Sequence, residues 1–371
     1  MLSEITARGF RNLEPLTWRP APGSHLLLGG NGAGKTSLLE AVYALATTRS
    51  FRTPRLADCV RHGEDSFHLE GEVEGERRWR LETGWRAGER LRAVNGRTGS
   101  LAEHLAVLPV AAWHAGEADL LTGTPGARRR FLDRGVVGMR PAALEALSRY
   151  RAALHQKRQL LAAGNEGLEA WNEVTATAAA EVIRLRQGYF ERLAAELAAV
   201  VEAAGLELPA IEVGYRPSPA GGLEGAEEIA ASFARIADRE RRRQLPLLGP
   251  QRDDLEVLLD GREVRRVASA GERKALSLLL LAAHGRVLAG AGRDPLYLLD
   301  DADAELAPPT LAVLWRVFAG ARQLIATSNR PQVWLTIEVG RVWQVERGRL
   351  ASLDPPGGAP SGEYGTDPVS Y

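Results

Sequence analysis

The sequence predicts an α/β fold whose two halves flank a helical insertion, and three observations carry that reading. An apolar stretch at residues 25–28 runs into a glycine-rich loop at 29–34 and then into residues with helical periodicity at 37–47. A second apolar stretch, 296–299, ends in the acid pair Asp300-Asp301. Between them, from Pro141 to about Ala204, apolar residues recur at the spacing of a helix rather than a strand.

In chain order, residues 2–7 alternate as a strand does. Residues 70–91 mix charged residues with Val73, Trp79, Leu81 and Trp85 and read as hairpins turning at Gly75 and Gly88. Residues 105–113 read as a further strand. Leu144, Leu147 and Leu154, then Leu168, Trp171, Val174, Val182, Leu185, Tyr189, Leu193 and Leu197, predict two long helices joined near Gly164 to Gly167. Their length suits a packed bundle, not an extended coiled-coil arm. Residues 217–225 form a Pro/Gly loop, and 229–244 a helix closing on the basic run 239–243. Strands return at 255–259, 296–299 and 323–326, with a strongly apolar helix at 271–289. The segment from Asp354 onward is rich in Pro, Gly and Ser and is expected to be a disordered tail. The expected division is therefore one discontinuous domain (1–115 and 246–350), a helical lobe (116–245) and a tail (351–371).

Bulk composition bounds the function without naming it. The 371 residues are 45% hydrophobic and 25% charged with zero formal net charge, so any nucleic-acid surface must come from local clustering. Cys59 is the only cysteine, which excludes an internal disulfide and a cysteine-rich metal site and fits a reducing, cytoplasmic setting. The most apolar run, 275–283, is too short to span a bilayer, so no membrane association is expected. Only Lys35, Lys157 and Lys274 are lysines among 47 basic residues, and Lys35 stands where a compact ammonium on a flexible stem is needed.

Gly29-Gly30-Asn31-Gly32-Ala33-Gly34-Lys35-Thr36 fits the phosphate-loop pattern in full. Its glycines let backbone N–H groups turn toward phosphate oxygens. Lys35 reaches the β- and γ-phosphates of ATP, and Thr36 offers a hydroxyl to Mg²⁺. The helix that opens at Ser37 adds the positive end of its dipole. Asp300, at the end of an apolar strand, is the acid expected to hold Mg²⁺, and Asp301 can orient or deprotonate the attacking water. Ser269-Ala270-Gly271 opens the 271–289 helix. A hydroxyl and bare backbone N–H groups at a helix start form an anion site, although the same serine would serve as an ordinary N-cap.

Phosphate loop, helical insertion, Ser-x-Gly helix and Asp-Asp strand, in that order, resemble the ATP-binding-cassette heads of the SMC class, and within it the RecF family of bacterial recombination and gap-repair proteins. The resemblance extends to about Gly348. It rests on Phe10-Arg11-Asn12, Arg49-Ser50-Phe51-Arg52-Thr53, Gly123-Thr124-Pro125, Arg128-Arg129-Arg130-Phe131-Leu132-Asp133, Gly249-Pro250-Gln251-Arg252-Asp253-Asp254-Leu255 and Asp300-Asp301-Ala302-Asp303-Ala304-Glu305-Leu306. It implies a P-loop NTPase of ABC-head type that hydrolyses ATP weakly, with stimulation by DNA, in an ATP-dependent homodimer. Ser269 and Gly271 would act there on the nucleotide held by the partner subunit. It implies Asp300 on the metal side, Asp301 in place of the glutamate of transporter heads, Arg11 near the phosphates, and Asp303 at the start of the segment across the dimer junction. It also implies binding to double-stranded and gapped DNA and partnership with RecR and RecO in loading a recombinase. Three departures stand out: Glu272 where a glutamine commonly follows the signature glycine, no glutamine around 113–119, and no switch histidine at 327–329.

Two other functions fit the sequence less well. A transporter ATPase subunit is disfavoured by the length of the insertion, by Asp301 and by the missing histidine. A small-molecule kinase leaves residues 269–274 unexplained. For DNA, the stretch 128–158 holds nine basic residues against two acidic ones and is the first candidate for phosphate contact, with 239–243 the second.

Overall fold

The computed structural model describes residues 1–163, 167–220 and 225–353. The join expected near Gly164, part of the 217–225 loop and nearly all of the expected tail fall outside the described residues. The elements run β1 (Leu2–Arg8), β2 (Leu16–Trp18), β3 (Gly23–Leu28), α1 (Lys35–Thr47), β4 (Ser66–Glu74), β5 (Arg78–Arg86), β6 (Glu89–Val94), α2 (Leu101–Val107), β7 (Val110–Trp113), α3 (Asp119–Thr122), α4 (Pro125–Met139), α5 (Ala143–Ala163), α6 (Leu168–Ala204), β8 (Ile211–Arg216), α7 (Ala226–Arg243), β9 (Asp254–Leu259), β10 (Arg262–Glu263), α8 (Val264–Val267), α9 (Ala270–Gly290), β11 (Leu296–Leu299), α10 (Pro308–Val317), β12 (Gln323–Ser328), β13 (Arg341–Glu346) and β14 (Arg349–Ser352).

A six-stranded sheet, in the order β14-β13-β3-β12-β11-β7, is parallel except for its edge strand β14. A five-stranded antiparallel sheet, β2-β1-β4-β5-β6, forms a second layer. Helix α1 lies between them: Leu38, Leu39, Val42 and Leu45 share one core with Ile5, Leu69 and Leu81 of the antiparallel sheet and with Leu27, Leu298 and Ile325 of the parallel one. The other face of the parallel sheet packs on α9, whose residues are apolar almost all round, so the helix is buried on every side.

The lobe is built from α4 to α7, and α6 spans 37 residues packed against α5, α7 and α9. A small sheet, β10-β9-β8, completes it. The β8–β9 pairing crosses the 245/246 boundary read from the sequence. Residues 105–113 are not one strand. Ser100 and Glu103 form a capping box that starts α2, and only Val110–Trp113 pairs, beside β11. Residues 351 and 352, assigned to the tail, continue β14.

Candidate nucleotide site

Parallel strands end together, so the carboxyl ends of β3, β11, β12 and β7 converge on one edge of the sheet. The phosphate loop leaves β3 there and enters α1. Gly34, with φ +115°, caps the helix in a backbone conformation that a side chain would strain, and a Cβ there would come within 3.2 Å of Gly348 Cα. Lys35 is buried, and its ammonium donates to the Gly29 and Gly30 carbonyls at 2.8 and 3.0 Å. Asn12 braces the loop from outside: its amide donates to the Gly32 carbonyl at 2.8 Å, and its oxygen accepts from the Ser37 hydroxyl at 2.6 Å.

Asp300 meets this loop. Its Oδ1 accepts from the Thr36 hydroxyl at 2.9 Å and from the Thr327 hydroxyl at 2.9 Å. Burial raises the Asp300 carboxyl above its ordinary range, opposed by those two hydroxyls. Asp301 follows with an exposed side chain and φ +45°. Its N–H donates to Thr327 Oγ1 at 2.8 Å. Asn329 donates to Asn31 of the loop at 2.8 Å, and Asp303, buried, accepts from Ser328 and Arg330.

Arg11 lines the same cleft as residues 32–37. Its guanidinium forms a two-pronged pair with the fully buried Glu40 at 2.9 and 2.6 Å and donates to the Asp58 carbonyl. Ser269 and Gly271 do not line that cleft. Ser269 is exposed and caps α9: its hydroxyl accepts from the Glu272 N–H at 3.2 Å, and the Glu272 carboxylate accepts from the Ser269 N–H at 2.7 Å.

Several neighbours were not singled out from the sequence. Glu40 had a signal, an acid among apolar positions of a buried helix. Lys274 had one too, as one of three lysines. Burial lowers its ammonium to about 8 against the pull of Glu305, Asp301, Asp303 and Asp300. His114, just past β7, stacks on Phe51 with centroids 4.7 Å apart and pairs with Glu117 at 3.2 Å. Burial would raise the Glu117 carboxyl, but Arg134 of α4 and His114 more than offset it and bring it down to about 2. This set occupies the lobe junction where no glutamine was found.

The basic stretch expected to contact DNA is arranged otherwise at its start. Arg128 is held by both oxygens of Asp254, at 2.6 and 2.9 Å, and Arg129 donates to the Asp253 carbonyl at 3.0 Å. Only Arg130 of the three is exposed. The cause is plain: α4 packs on β9, where the Asp254 carboxylate takes Arg128 and the neighbouring Asp253 carbonyl takes Arg129. Arg242 and Arg243, at the end of α7, are exposed.

Comparison with known proteins agrees with this geometry. Residues 1–347 match the RecF/RecN/SMC N terminal domain family. The chain is 35% identical to the DNA replication and repair protein RecF of Acidothermus cellulolyticus, covering 95% of this chain and 100% of that one. It is 33% identical to the RecF of Moorella thermoacetica, covering 95% and 96%. Among solved structures, the recombination mediator protein RecF-ATP in the RecFOR pathway superimposes with a TM-score of 0.84 at 23% identity, over 95% of this chain and 97% of that one. An SMC head bound to the C-winged helix domain of ScpA follows at 0.57 and 13%, over 96% and 98%. The fold is that of a P-loop ATPase head. Among the described residues no helix is long and apolar enough to cross a membrane.

Proposed function

This chain belongs to the RecF family of DNA replication and repair proteins, and we propose that it is a cytoplasmic ATPase whose ATP-driven homodimer holds double-stranded DNA at gaps and acts with RecR and RecO in loading a recombinase. The observation that carries the reading is the Thr36–Asp300 contact, 2.9 Å between residues 264 apart in sequence. It joins the phosphate loop to the acid strand as hydrolysis of a metal-bound nucleotide requires.

In this reading Gly29, Gly30, Asn31, Gly32, Ala33 and Gly34 surround the phosphates with backbone N–H groups. Lys35 leaves the Gly29 and Gly30 carbonyls for the β- and γ-phosphates, while Ser37 and Arg11 flank the nucleotide. Thr36 and Asp300 are the protein's oxygen donors for Mg²⁺. The fit is good, since Asp300 is a buried carboxylate met only by hydroxyl donors within hydrogen-bond reach. Among the described residues no cluster of three or more His, Cys, Asp or Glu side chains could hold a metal ion, so nucleotide phosphates and water would supply the remaining oxygens. Bound Mg²⁺ would offset the charge that builds on the phosphoryl oxygens. Asp301, exposed beside it, orients the attacking water and accepts its proton. Ser269, exposed, and Gly271, half-buried, lie away from their own subunit's cleft and close on the nucleotide of the partner.

Sedimentation of the protein with and without ATP and duplex DNA tests the whole reading. A monomer that dimerises on ATP and cosediments with duplex is expected. A protein that stays monomeric on saturating ATP and ignores duplex at low salt would remove it.

A further inference from the structure

All three lysines of this arginine-rich chain are buried, at 6%, 0% and 4% exposure for Lys35, Lys157 and Lys274. Lys35 belongs to the phosphate loop, and Lys157 pairs with the buried Glu240 inside the lobe at 2.8 Å. Lys274 has no part in the hydrolytic scheme above, yet it touches its centre. From α9, five residues past Ser269, its ammonium lies over the face of Trp113, 3.1 Å from the ring centroid, and donates to the Asp301 carbonyl at 3.0 Å.

That carbonyl belongs to a residue in an uncommon backbone state. Asp301 has φ +45°, which costs a side-chain-bearing residue free energy unless its surroundings impose it. Here both its backbone polar groups are held. Thr327 accepts from the N–H at 2.8 Å, and the C=O accepts from Lys274 at 3.0 Å and from the Ala304 N–H at 3.1 Å. The side chain between these two clamps is exposed, free to face a ligand.

We propose that Lys274 is a positioning residue that holds Asp301 in its left-handed conformation and so aims its carboxylate at the attacking water. The inference rests on the reading of Asp301 as the acid that handles water. It adds a physical link that reading lacks. The start of α9 serves the partner's nucleotide, whereas Asp301 serves its own, and Lys274 ties the two within one subunit. Seating of one nucleotide against Ser269 is thereby felt at the hydrolytic acid of the other site.

The test uses the full chain with Lys274→Met, which keeps an unbranched apolar stem and removes the ammonium that lies over Trp113 and donates to Asp301, beside Asp301→Asn. ATP-driven dimerisation by sedimentation and KM for ATP should match wild type, while kcat falls about 10-fold. Lys274→Gln, with a shorter donor, should fall between the two and serves alone if the methionine variant does not fold. Dimerisation lost in step with kcat would make Lys274 a support of α9 and overturn the proposal, as would an unchanged kcat. If Asp301→Asn itself hydrolyses normally, the reading of Asp301 fails. If Asp301→Asn is inactive and Lys274→Met is not slowed, only this inference fails.

Discussion

The phosphate loop and the start of α4 are both short motifs that point to phosphate, yet their residues meet different partners. In the loop, the residues are chosen for backbone shape: Gly34 takes φ +115°, and Lys35 turns onto carbonyls of its own loop. Such a pattern has few uses, so its sequence alone locates a site. At α4, the signal is charge: Arg128-Arg129-Arg130. Charge can be satisfied by any nearby acid, and Asp254 and the Asp253 carbonyl, over a hundred residues away, satisfy two of the three. A motif written in backbone geometry is legible locally, whereas a motif written in charge depends on what the fold brings opposite it.

The largest expected effect breaks the loop side of the comparison. Lys35→Met removes the ammonium that would face the phosphates, and charge-assisted hydrogen bonds are the strong ones. ATP binding measured by calorimetry should weaken by about 100-fold or more with little change in thermal unfolding. Binding at wild-type affinity would undo the cradle assignment.

The lobe side is expected to show the reverse pattern. Arg186 donates to Asp133 at 2.8 Å, to Asp253 at 2.7 Å and to the Pro250 carbonyl at 2.7 Å, with only 5% of its side chain exposed. Arg186→Met would leave Asp253 without its cation and Asp133 with only Arg151 at 3.6 Å, a loss of roughly 3–5 kcal/mol. Denaturant unfolding should show it clearly, while ATP affinity in the fraction that folds should not move. A stability change below about 1 kcal/mol would mean that water satisfies these carboxylates and that the network is not what holds α4 and α6 to residues 250–253.

Much of the site was legible before the fold. Lys35 and Thr36 sit where a glycine loop meets a helix, Asp300 follows an apolar strand and Ser269 precedes an apolar helix; the glycine pattern is a strong local signature, whereas the acid pair is a weak one that gains weight beside a complete phosphate loop. What was not legible needed the third dimension. Glu40 stands out as an acid among apolar helix positions, but its partner Arg11 is seen only in the fold. Lys274 stands out as one of three lysines, but Trp113, 161 positions earlier, is seen under its ammonium only in the fold. The strand read across 105–113 failed for a local reason: the Ser100–Glu103 capping box starts a helix that apolar content alone did not reveal.

Arg128 and Arg130 sharpen the comparison within one turn of helix. Arg128→Ala should cost about 1.5–3 kcal/mol, because it strips a two-pronged partner from Asp254, and should leave the salt dependence of duplex binding unchanged. Arg130→Ala should leave stability within about 0.5 kcal/mol. If α4 faces DNA, it should lower the slope of log affinity against log salt by about one. Equal slopes for wild type and both variants would move the DNA surface elsewhere, with Arg242 and Arg243 next in line.

A modest stability effect belongs to Ser269, where a backbone-shaped motif and a ligand motif share one hydroxyl. Within the subunit, that hydroxyl caps α9 and accepts from the Glu272 N–H. Ser269→Ala should therefore cost about 1 kcal/mol of unfolding free energy and no more. Ser269→Asp restores a cap acceptor and should recover most of that loss. The two roles then separate. If Ser269 only caps, aspartate should rescue dimerisation along with stability. If Ser269 also meets the partner's γ-phosphate, aspartate sets a carboxylate against it, and ATP-driven dimerisation should fail in the variant that is the more stable of the two. Sedimentation on ATP of Ser269→Ala and Ser269→Asp, read beside their unfolding curves, decides between an N-cap and a site shared by two subunits.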